Sequence, residues 1–181
     1  IAASEATGAL TLVAGGAITQ SGAIDADTTA SFSAGGNAIT LANAGNDFTG
    51  AVSLSNSGSN DVSLTDTNAL DLGTVGVGQN LTITATGGAL TDSGAITVPG
   101  LATIVSTGQS VTLGDSTTAN FGSLDFAGAT VTITEGSAMA IAASEATGAL
   151  TLVAGGAITQ SGAIDADTTA SFTGGANAIT L

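Results

Sequence analysis

Hydrophobic and polar residues alternate along most of the chain. Segments such as ALTLVA, NAITL, DVSLTD and NLTITAT place Thr, Ser or Asp between aliphatic residues. A period of two is typical of a β-strand with one buried face, whereas an amphipathic helix repeats every 3.6 residues. Gly, Asn and Ser interrupt the alternation at short intervals, so each strand is short. The pattern predicts an all-β fold, with a single helical turn at most at residues 3–7 and 143–147.

The chain also contains a long internal repeat. Residues 1–32 recur letter for letter at 141–172. Over 41 residues the copies differ only at Ser33/Thr173, Ala34/Gly174 and Gly36/Ala176. We therefore predict that residues 1–140 form one full unit and that 141–181 begin the next, in one continuous rod without a linker.

An older repeat lies inside the long one. Residues 60–83 match 129–152 without a gap. In this alignment the apolar residues Val62, Leu64, Leu70, Leu72, Leu81 and Ile83 fall on Val131, Ile133, Met139, Ile141, Leu150 and Leu152. The 140-residue unit is thus two diverged halves, at about 9–79 and 80–148. A repeat of this kind indicates stacked units that bury their hydrophobic sides against one another.

The spacing of the apolar pairs predicts a parallel β-solenoid with three faces. In one series, one pair comes from each successive turn. That series is Leu10/Leu12, Ala30/Phe32, Val52/Leu54, Leu81/Ile83, Ala102/Ile104, Leu124/Phe126 and Leu150/Leu152. On this grouping one long unit, residues 1–140, consists of six turns, each of roughly 23 residues, a period typical of solenoids.

Glycine and asparagine mark the predicted corners. Glycines expected to turn the chain at positive φ just after the strands of this series are Gly15, Gly16, Gly35, Gly36, Gly58, Gly87, Gly88, Gly108 and Gly128. Asparagines expected at left-handed corners, stacked on polar neighbours in adjacent turns, are Asn37, Asn46, Asn60 and Asn68.

Composition excludes several classes of function. The chain has no Lys, Arg, His, Cys, Trp or Tyr, and its 14 acidic residues give a net charge of −14. It therefore lacks an imidazole base, a Schiff-base amine, a thiolate and the ligands of zinc, haem or iron–sulfur sites. Binding to nucleic acid or to an anionic membrane requires cations that are missing. With 43% hydrophobic residues but no run of 18, neither disorder nor membrane insertion is expected. We predict no enzyme activity, no catalytic residues and no cofactor-binding residues.

Calcium is the one cofactor that the residues leave open. The pair Asp25 and Asp27, repeated as Asp165 and Asp167, offers the oxygen ligands that Ca²⁺ takes. The positions that correspond to the first pair in the second half are Thr97 and Pro99, so the pair is not a general feature of the turn. Solvated surface charge is the favoured interpretation, and no built metal site is predicted.

A row of hydroxyl side chains is predicted on the outer surface of a single face, the one that follows the Leu10/Leu12 series in each turn: Thr19, Thr40, Ser63, Thr91, Thr112, Thr132 and Thr159. A flat Thr ladder is what ice-binding solenoids present. Thr also packs well on any pleated surface, and this simpler interpretation is favoured.

The segments GGAITQSGAI, NAITLANAGNDFTGAVSLSN and NDVSLTDTNALDLGTV resemble the repeat region of filamentous-haemagglutinin-like proteins, which are large adhesins secreted by Gram-negative bacteria through two-partner secretion. The resemblance covers essentially the whole chain. It implies a right-handed parallel β-helix that forms a long rod outside the cell and has no catalytic residues.

Two functions remain open after the sequence analysis. The first is the stalk of a secreted or surface-attached adhesin that mediates adhesion, cell–cell contact or biofilm formation. The second is a structural filament that assembles from its own repeats and has no adhesive role. Expected partners are neighbouring copies of the repeat, stacked in the chain or end to end, and other cells or glycans.

Overall fold

The computed structural model describes residues 1–115 and 118–181, and these residues form β-strands joined by short turns. The strands of the described residues are β1 Ser4–Ala6, β2 Leu10–Val13, β3 Ile18–Thr19, β4 Ile24–Ala26, β5 Ala30–Ser33, β6 Ile39–Leu41, β7 Asp47–Phe48, β8 Val52–Ser55, β9 Val62–Asp66, β10 Leu70–Gly76, β11 Leu81–Ala85, β12 Leu90–Asp92, β13 Ile96–Ser106, β14 Val111–Leu113, β15 Ala119–Gly128, β16 Val131–Glu135, β17 Met139–Ile141, β18 Ser144–Ala146, β19 Leu150–Ala154, β20 Ile158–Gln160, β21 Ile164–Ala166, β22 Ala170–Thr173 and β23 Ile179–Thr180.

Successive turns pair in parallel, which confirms the predicted β-solenoid. About nine turns stack on one another. Leu10 pairs with Ala30, and Ala30 pairs with Val52. Because parallel ladders connect one turn to the next, most backbone N–H and C=O groups along the strands of the inner turns find their partners in neighbouring turns.

Each turn carries three strand positions, which we call faces 1, 2 and 3 in chain order. Face 1 consists of β1, β4, β7, the start of β10, β12, β14, β16, β19 and β22. Face 2 consists of β2, β5, β8, the end of β10, the start of β13, the start of β15, β17, β20 and β23. Face 3 consists of β3, β6, β9, β11, the end of β13, the end of β15, β18 and β21.

A single hydrophobic core runs through the stack. Strand burial alternates, as in β11, where Leu81, Ile83 and Ala85 are buried and Thr82 is exposed. The rings of Phe32 and Phe48 meet edge to face inside the core, with centroids 6.0 Å apart. The alternation read from the sequence therefore assigns the inward side chains correctly along these strands.

The predicted grouping of strands into series is wrong at the boundary between half-repeats. The series places Ile83 next to Leu54, but Leu54 pairs with Val75. On that side Ile83 pairs instead with Leu64, one face further on. Its predicted pairing with Ile104 on the other side is confirmed.

One strand position in each half-repeat, which the pattern does not predict, causes this shift. In the first half it is the end of β10, around Val75; in the second half it is β18, Ser144–Ala146. The sequence predicts a helical turn at most for residues 3–7 and 143–147, yet these residues contain strands β1 and β18. The short run SEA lacks large apolar residues, so the pattern could not mark it as a strand.

The extra position changes the length of the turn. The registers join residues 17 to 23 positions apart, and the predicted average of a little over 23 is not confirmed. A half-repeat now contains ten strand positions, from β2 to β11 and from β11 to β19. Ten positions at three per turn are three and a third turns, so the long unit of two half-repeats occupies six and two-thirds turns rather than six. The right-handed sense stays a prediction.

The corners use glycine in two ways. Gly35, Gly58 and Gly108 have φ of 55°, 70° and 76°, as predicted. Gly87 and Gly88, like the other glycines predicted at these corners, do not have positive φ. A Cβ on either would collide with the backbone of the turn below, at Thr67 and Ala69. Close approach between turns, as well as positive φ, therefore selects glycine here.

The corner asparagines are not left-handed, since no described residue other than glycine has positive φ. They do stack across turns as expected. Asn37 and Asn60 donate from Nδ2 to the carbonyls of Gly15 and Gly36, at 3.2 and 2.9 Å. Their role is to satisfy carbonyl groups that the turn leaves unpaired.

The core assignment gives a direct test. Ile83→Asp places an unpaired charge in the packed interior and should lower the free energy of unfolding by about 3 kcal/mol or more. Thr82→Asp, one residue away and exposed, should change it by less than about 0.5 kcal/mol. Thermal and urea melts followed by circular dichroism measure both, and equal losses would contradict the inward and outward assignments.

Candidate functional surface

The hydroxyl row predicted on one face is divided among the three faces. On face 3, Thr19 pairs with Thr40, and the row continues through Ser63, Thr82 and Thr103. On face 1 the row consists of Thr91, Thr112, Thr132 and Thr151. Thr159 lies on face 2, beside Thr180. The predicted row changes face wherever a half-repeat ends, for the reason given above.

The calcium candidates lie in rows of like charge. Asp25 is exposed on face 1, with Glu5 in register on one side and Asp47 on the other. Asp165 is exposed on face 3, in register with Glu145. In-register neighbours on adjacent strands are about 4.8 Å apart, so these carboxylates repel one another.

The structure does not gather these candidates into a chelating cluster. Asp27 and Asp167 are exposed just after the strands that carry Asp25 and Asp165. No group of three or more acidic side chains within residues 1–115 and 118–181 has a metal-binding arrangement. Of this acidic row, Asp47 has a side-chain partner: the Asn68 Nδ2 donates to its Oδ1 at 2.8 Å.

Two open grooves lie between turns. One, of about 320 Å³, is lined by Asp125, Phe126, Ala143, Ser144, Glu145, Ala163 and Asp165. The other, of about 290 Å³, is lined by Thr19, Gln20, Ser21, Thr40, Ala42 and Asn43. Partial burial raises the pKa of Asp125 in the first groove. The first groove is acidic, and the second offers only hydroxyl, amide and methyl groups.

Three carboxylates that the sequence pattern did not predict as site residues are buried inside the stack. Asp66, Asp92 and Glu135 are 0%, 6% and 1% exposed. Each accepts a hydrogen bond from a backbone N–H in a neighbouring turn: Phe48 at 2.9 Å, Gly114 at 2.7 Å and Phe121 at 3.0 Å, respectively. The carboxylates thus replace bonds where the main-chain ladder is interrupted.

Two of these carboxylates are equivalent in the repeat. Asp66 and Glu135 occupy the same position when residues 60–83 are aligned with 129–152. Each continues the inward series of its strand, after Leu64 and Ile133, respectively. This inward acidic position, present in both halves, was the signal available in the sequence.

The second oxygen of both carboxylates is buried without a hydrogen-bond partner: Oδ2 of Asp66 and Oε2 of Glu135. Burial raises the pKa of Asp66, the backbone N–H of Phe48 partly offsets this effect, and the nearby Asp47 carboxylate raises the pKa further. Burial likewise raises the pKa of Glu135, against the bonds from the Phe121 N–H and the Ser137 hydroxyl. Loss of solvation outweighs hydrogen bonding at both positions.

An amide network closes another corner. Asn46 is fully buried; its Nδ2 donates to the carbonyls of Leu41 and Thr65, and its Oδ1 accepts from the N–H of Ile24. Gln20 joins it by bonds of 2.7 and 3.1 Å. Buried amides that are satisfied in this way fix the register of neighbouring turns.

Comparison with known proteins gives a repeat family. A family model described as repeats of unknown function, DUF5649, matches residues 1–55, 59–126 and 128–181. The chain belongs to this family. No curated protein and no solved structure matches it significantly.

The family matches agree with the half-repeats. The second and third DUF5649 matches begin at residues 59 and 128, and the same offset relates residues 60–83 to 129–152. Each DUF5649 repeat therefore contributes a set of stacked strands to the solenoid. Within the described parts of these repeats, no helix has the length and apolar character needed to cross a bilayer.

The buried carboxylates predict how stability depends on pH. Unfolded carboxyls ionise near 3.8 and 4.5, whereas burial raises the pKa of folded Asp66 and Glu135 above these values. Between the unfolded and the folded pKa of each group, the folded protein keeps a proton that the unfolded chain has lost. Asp66 and Glu135 therefore lower the free energy of unfolding as the pH rises through this range. Asp66→Asn and Glu135→Gln should each stabilise the protein at pH 7, and the gain should shrink at pH 3.

Thermal melts over a pH series measure this effect, with Asp27→Asn, an exposed carboxylate, as the matched control. A gain that is the same at pH 3 and pH 7, or one that the control reproduces, would contradict the role of burial.

The acidic rows predict a non-specific response to cations. Since the candidates Asp25, Asp27, Asp165 and Asp167 form no chelating group, Ca²⁺ and Mg²⁺ should raise the melting temperature equally by screening repulsion. Calorimetric titration and melts at matched ionic strength test this. A Ca²⁺-selective shift that Asp25→Asn abolishes would show a specific site.

Proposed function

We propose that the chain is a segment of a structural rod, the stalk of an extracellular bacterial adhesin or surface filament that mediates adhesion, cell–cell contact or biofilm formation. The observation that carries the proposal is the single core that continues through all the stacked turns. A stack of this type can be lengthened by adding repeats without redesigning the core.

The outer surface supports a scaffold rather than a catalyst. Its strands present Thr, Ser and scattered Asp, while most large apolar side chains are committed to the interior, Val13, Ile179 and Leu181 being the exposed ones among the described residues. A small-molecule site is usually a concave apolar pocket with convergent polar groups, whereas both grooves described above are open and lined mainly by polar or small side chains. We propose that this segment performs no catalysis and carries no cofactor.

The partners follow from charge and repetition. Copies of the same repeat, stacked within the chain or end to end, are the proposed structural partners, and other cells or glycans are the proposed targets of the whole rod. A surface with 14 acidic and no basic side chains is unsuited to nucleic acid and to anionic lipid. The resemblance to filamentous-haemagglutinin-like repeats supports secretion and a place at the cell surface.

A filament without an adhesive role is the second candidate. It is favoured by the near identity of the two copies, which differ at three of 41 positions, since a uniform array suits a product whose only task is to be long. Ice binding is a remote third candidate, and the division of the Thr row among three faces argues against it.

The experiment compares this chain with arrays of two and four 140-residue units in cell- and glycan-adhesion assays. The stalk predicts weak adhesion by one unit, which strengthens only as units are added, whereas a filament without an adhesive role predicts no adhesion at any length. An array that carries Ile83→Asp, with its loss of structure verified by circular dichroism, serves as the control for non-specific stickiness. Tight, saturable, stoichiometric binding by a single unit would overturn the scaffold proposal.

A further inference from the structure

Equivalent strands of successive half-repeats lie on different faces of the solenoid. The strand Leu10–Val13 is on face 2, its counterpart Leu81–Ala85 is on face 3, and the next counterpart, Leu150–Ala154, is on face 1. The neighbours confirm these places: Leu10 pairs with Ala30, Leu81 pairs with Val62, and Leu150 pairs with Val131.

The outward threonines follow the same rule. Each half-repeat carries two Thr residues that face each other on adjacent turns. The three pairs are Thr19/Thr40 on face 3, Thr91/Thr112 on face 1 and Thr159/Thr180 on face 2. One repeated surface feature thus occurs once on each face.

The acidic pairs give an independent check over two half-repeats. Glu5/Asp25 lies on face 1, and the identical pair Glu145/Asp165 lies on face 3. The two acidic pairs are two half-repeats apart. An advance of one face per half-repeat leads from face 1 through face 2 to face 3, in agreement with these registers. The position in between, Gly76/Thr97, is on face 2.

From these registers we propose that each half-repeat advances by one face, so that an array of these repeats presents every repeated surface on all three sides of the rod. The physical cause is the tenth strand position, because ten is not a multiple of three. At about 4.8 Å per turn, each advance moves the surface about 16 Å along the axis, and three half-repeats restore the original face after ten turns.

The advance of one face per half-repeat has a consequence for binding, and this consequence rests on the proposed function as a rod. A rod with one preferred face binds a flat surface, whereas this rod shows the same Thr pair in three directions. It therefore fits partners that contact it weakly from several sides, such as neighbouring cells. The gain in affinity comes from the number of equivalent contacts.

Cysteine pairs can distinguish the two possible phasings, because the native chain has no cysteine. The observed register places Ser63 next to Thr82 and Thr132 next to Thr151. A solenoid that keeps equivalent strands on one face would instead place Ser53 next to Thr82 and Asp125 next to Thr151. All these positions lie outward on their strands, so their substitution should leave the core intact.

The double variants Ser63→Cys/Thr82→Cys and Thr132→Cys/Thr151→Cys should form intramolecular disulfides under mild oxidation. The matched controls Ser53→Cys/Thr82→Cys and Asp125→Cys/Thr151→Cys should not exceed the rate seen in denaturant, since cysteines on different faces are too far apart. Mass spectrometry after alkylation measures each yield, and circular dichroism verifies the fold.

The reverse pattern, with crosslinks in the controls only, would overturn the phasing. Spin-label distances for the same four pairs provide a second measurement if a disulfide distorts a strand, with a short distance expected for the first two pairs only. Both measurements use the isolated chain and no partner. Their failure would leave the proposed rod intact, and a failure in the adhesion assay would leave the phasing intact.

Discussion

The parallel main-chain ladder between successive turns is the constraint on which the rest of the structure depends. It fixes the spacing of the turns at about 4.8 Å and requires each strand to lie over its neighbour in register. Side chains stacked in columns then fill the interior, as Phe32 and Leu54 do in adjacent turns. Where the ladder is interrupted, a side chain must supply the missing acceptor, and Asp66, Asp92 and Glu135 do so.

The absence of basic side chains shapes the energetics. With 14 acidic residues and no Lys, Arg or His, the fold gains nothing from side-chain ion pairs and relies on apolar burial and backbone hydrogen bonds. Like charges stacked in rows, such as Asp25 beside Asp47, oppose the compact state. The same charges keep rods with a hydroxyl-rich surface apart from one another in solution.

Much of the fold could be predicted from the sequence, because a period of two directly reports which side chains face inward. That reasoning placed Leu81 and Ile83 in the core and Thr82 outside. It failed at Ser144–Ala146, where a strand is made from small and polar residues without an apolar signature. One missed strand moves every later strand by a face, so the predicted pairings across the boundary between half-repeats are wrong.

The candidate site was harder to predict for a different reason. The exposed residues Asp25 and Asp165 were candidate calcium ligands by residue type. Whether other ligands lie close to them depends on which strand pairs with theirs. The carboxylates of Asp66 and Glu135 contribute more to the structure than Asp25 and Asp165 do. The alternation of the sequence indicates that both point inward. Their function became clear only when Phe48 and Phe121 were seen to lie opposite them in the neighbouring turns.

X-ray diffraction from oriented fibres or films of the repeat array tests the central claim most directly. If parallel turns stack along the rod, a reflection at about 4.8 Å should lie along the rod axis, because the strands run perpendicular to that axis. A reflection of about 4.8 Å perpendicular to the rod axis, or the absence of any such spacing in well-oriented samples, would contradict the stacked solenoid.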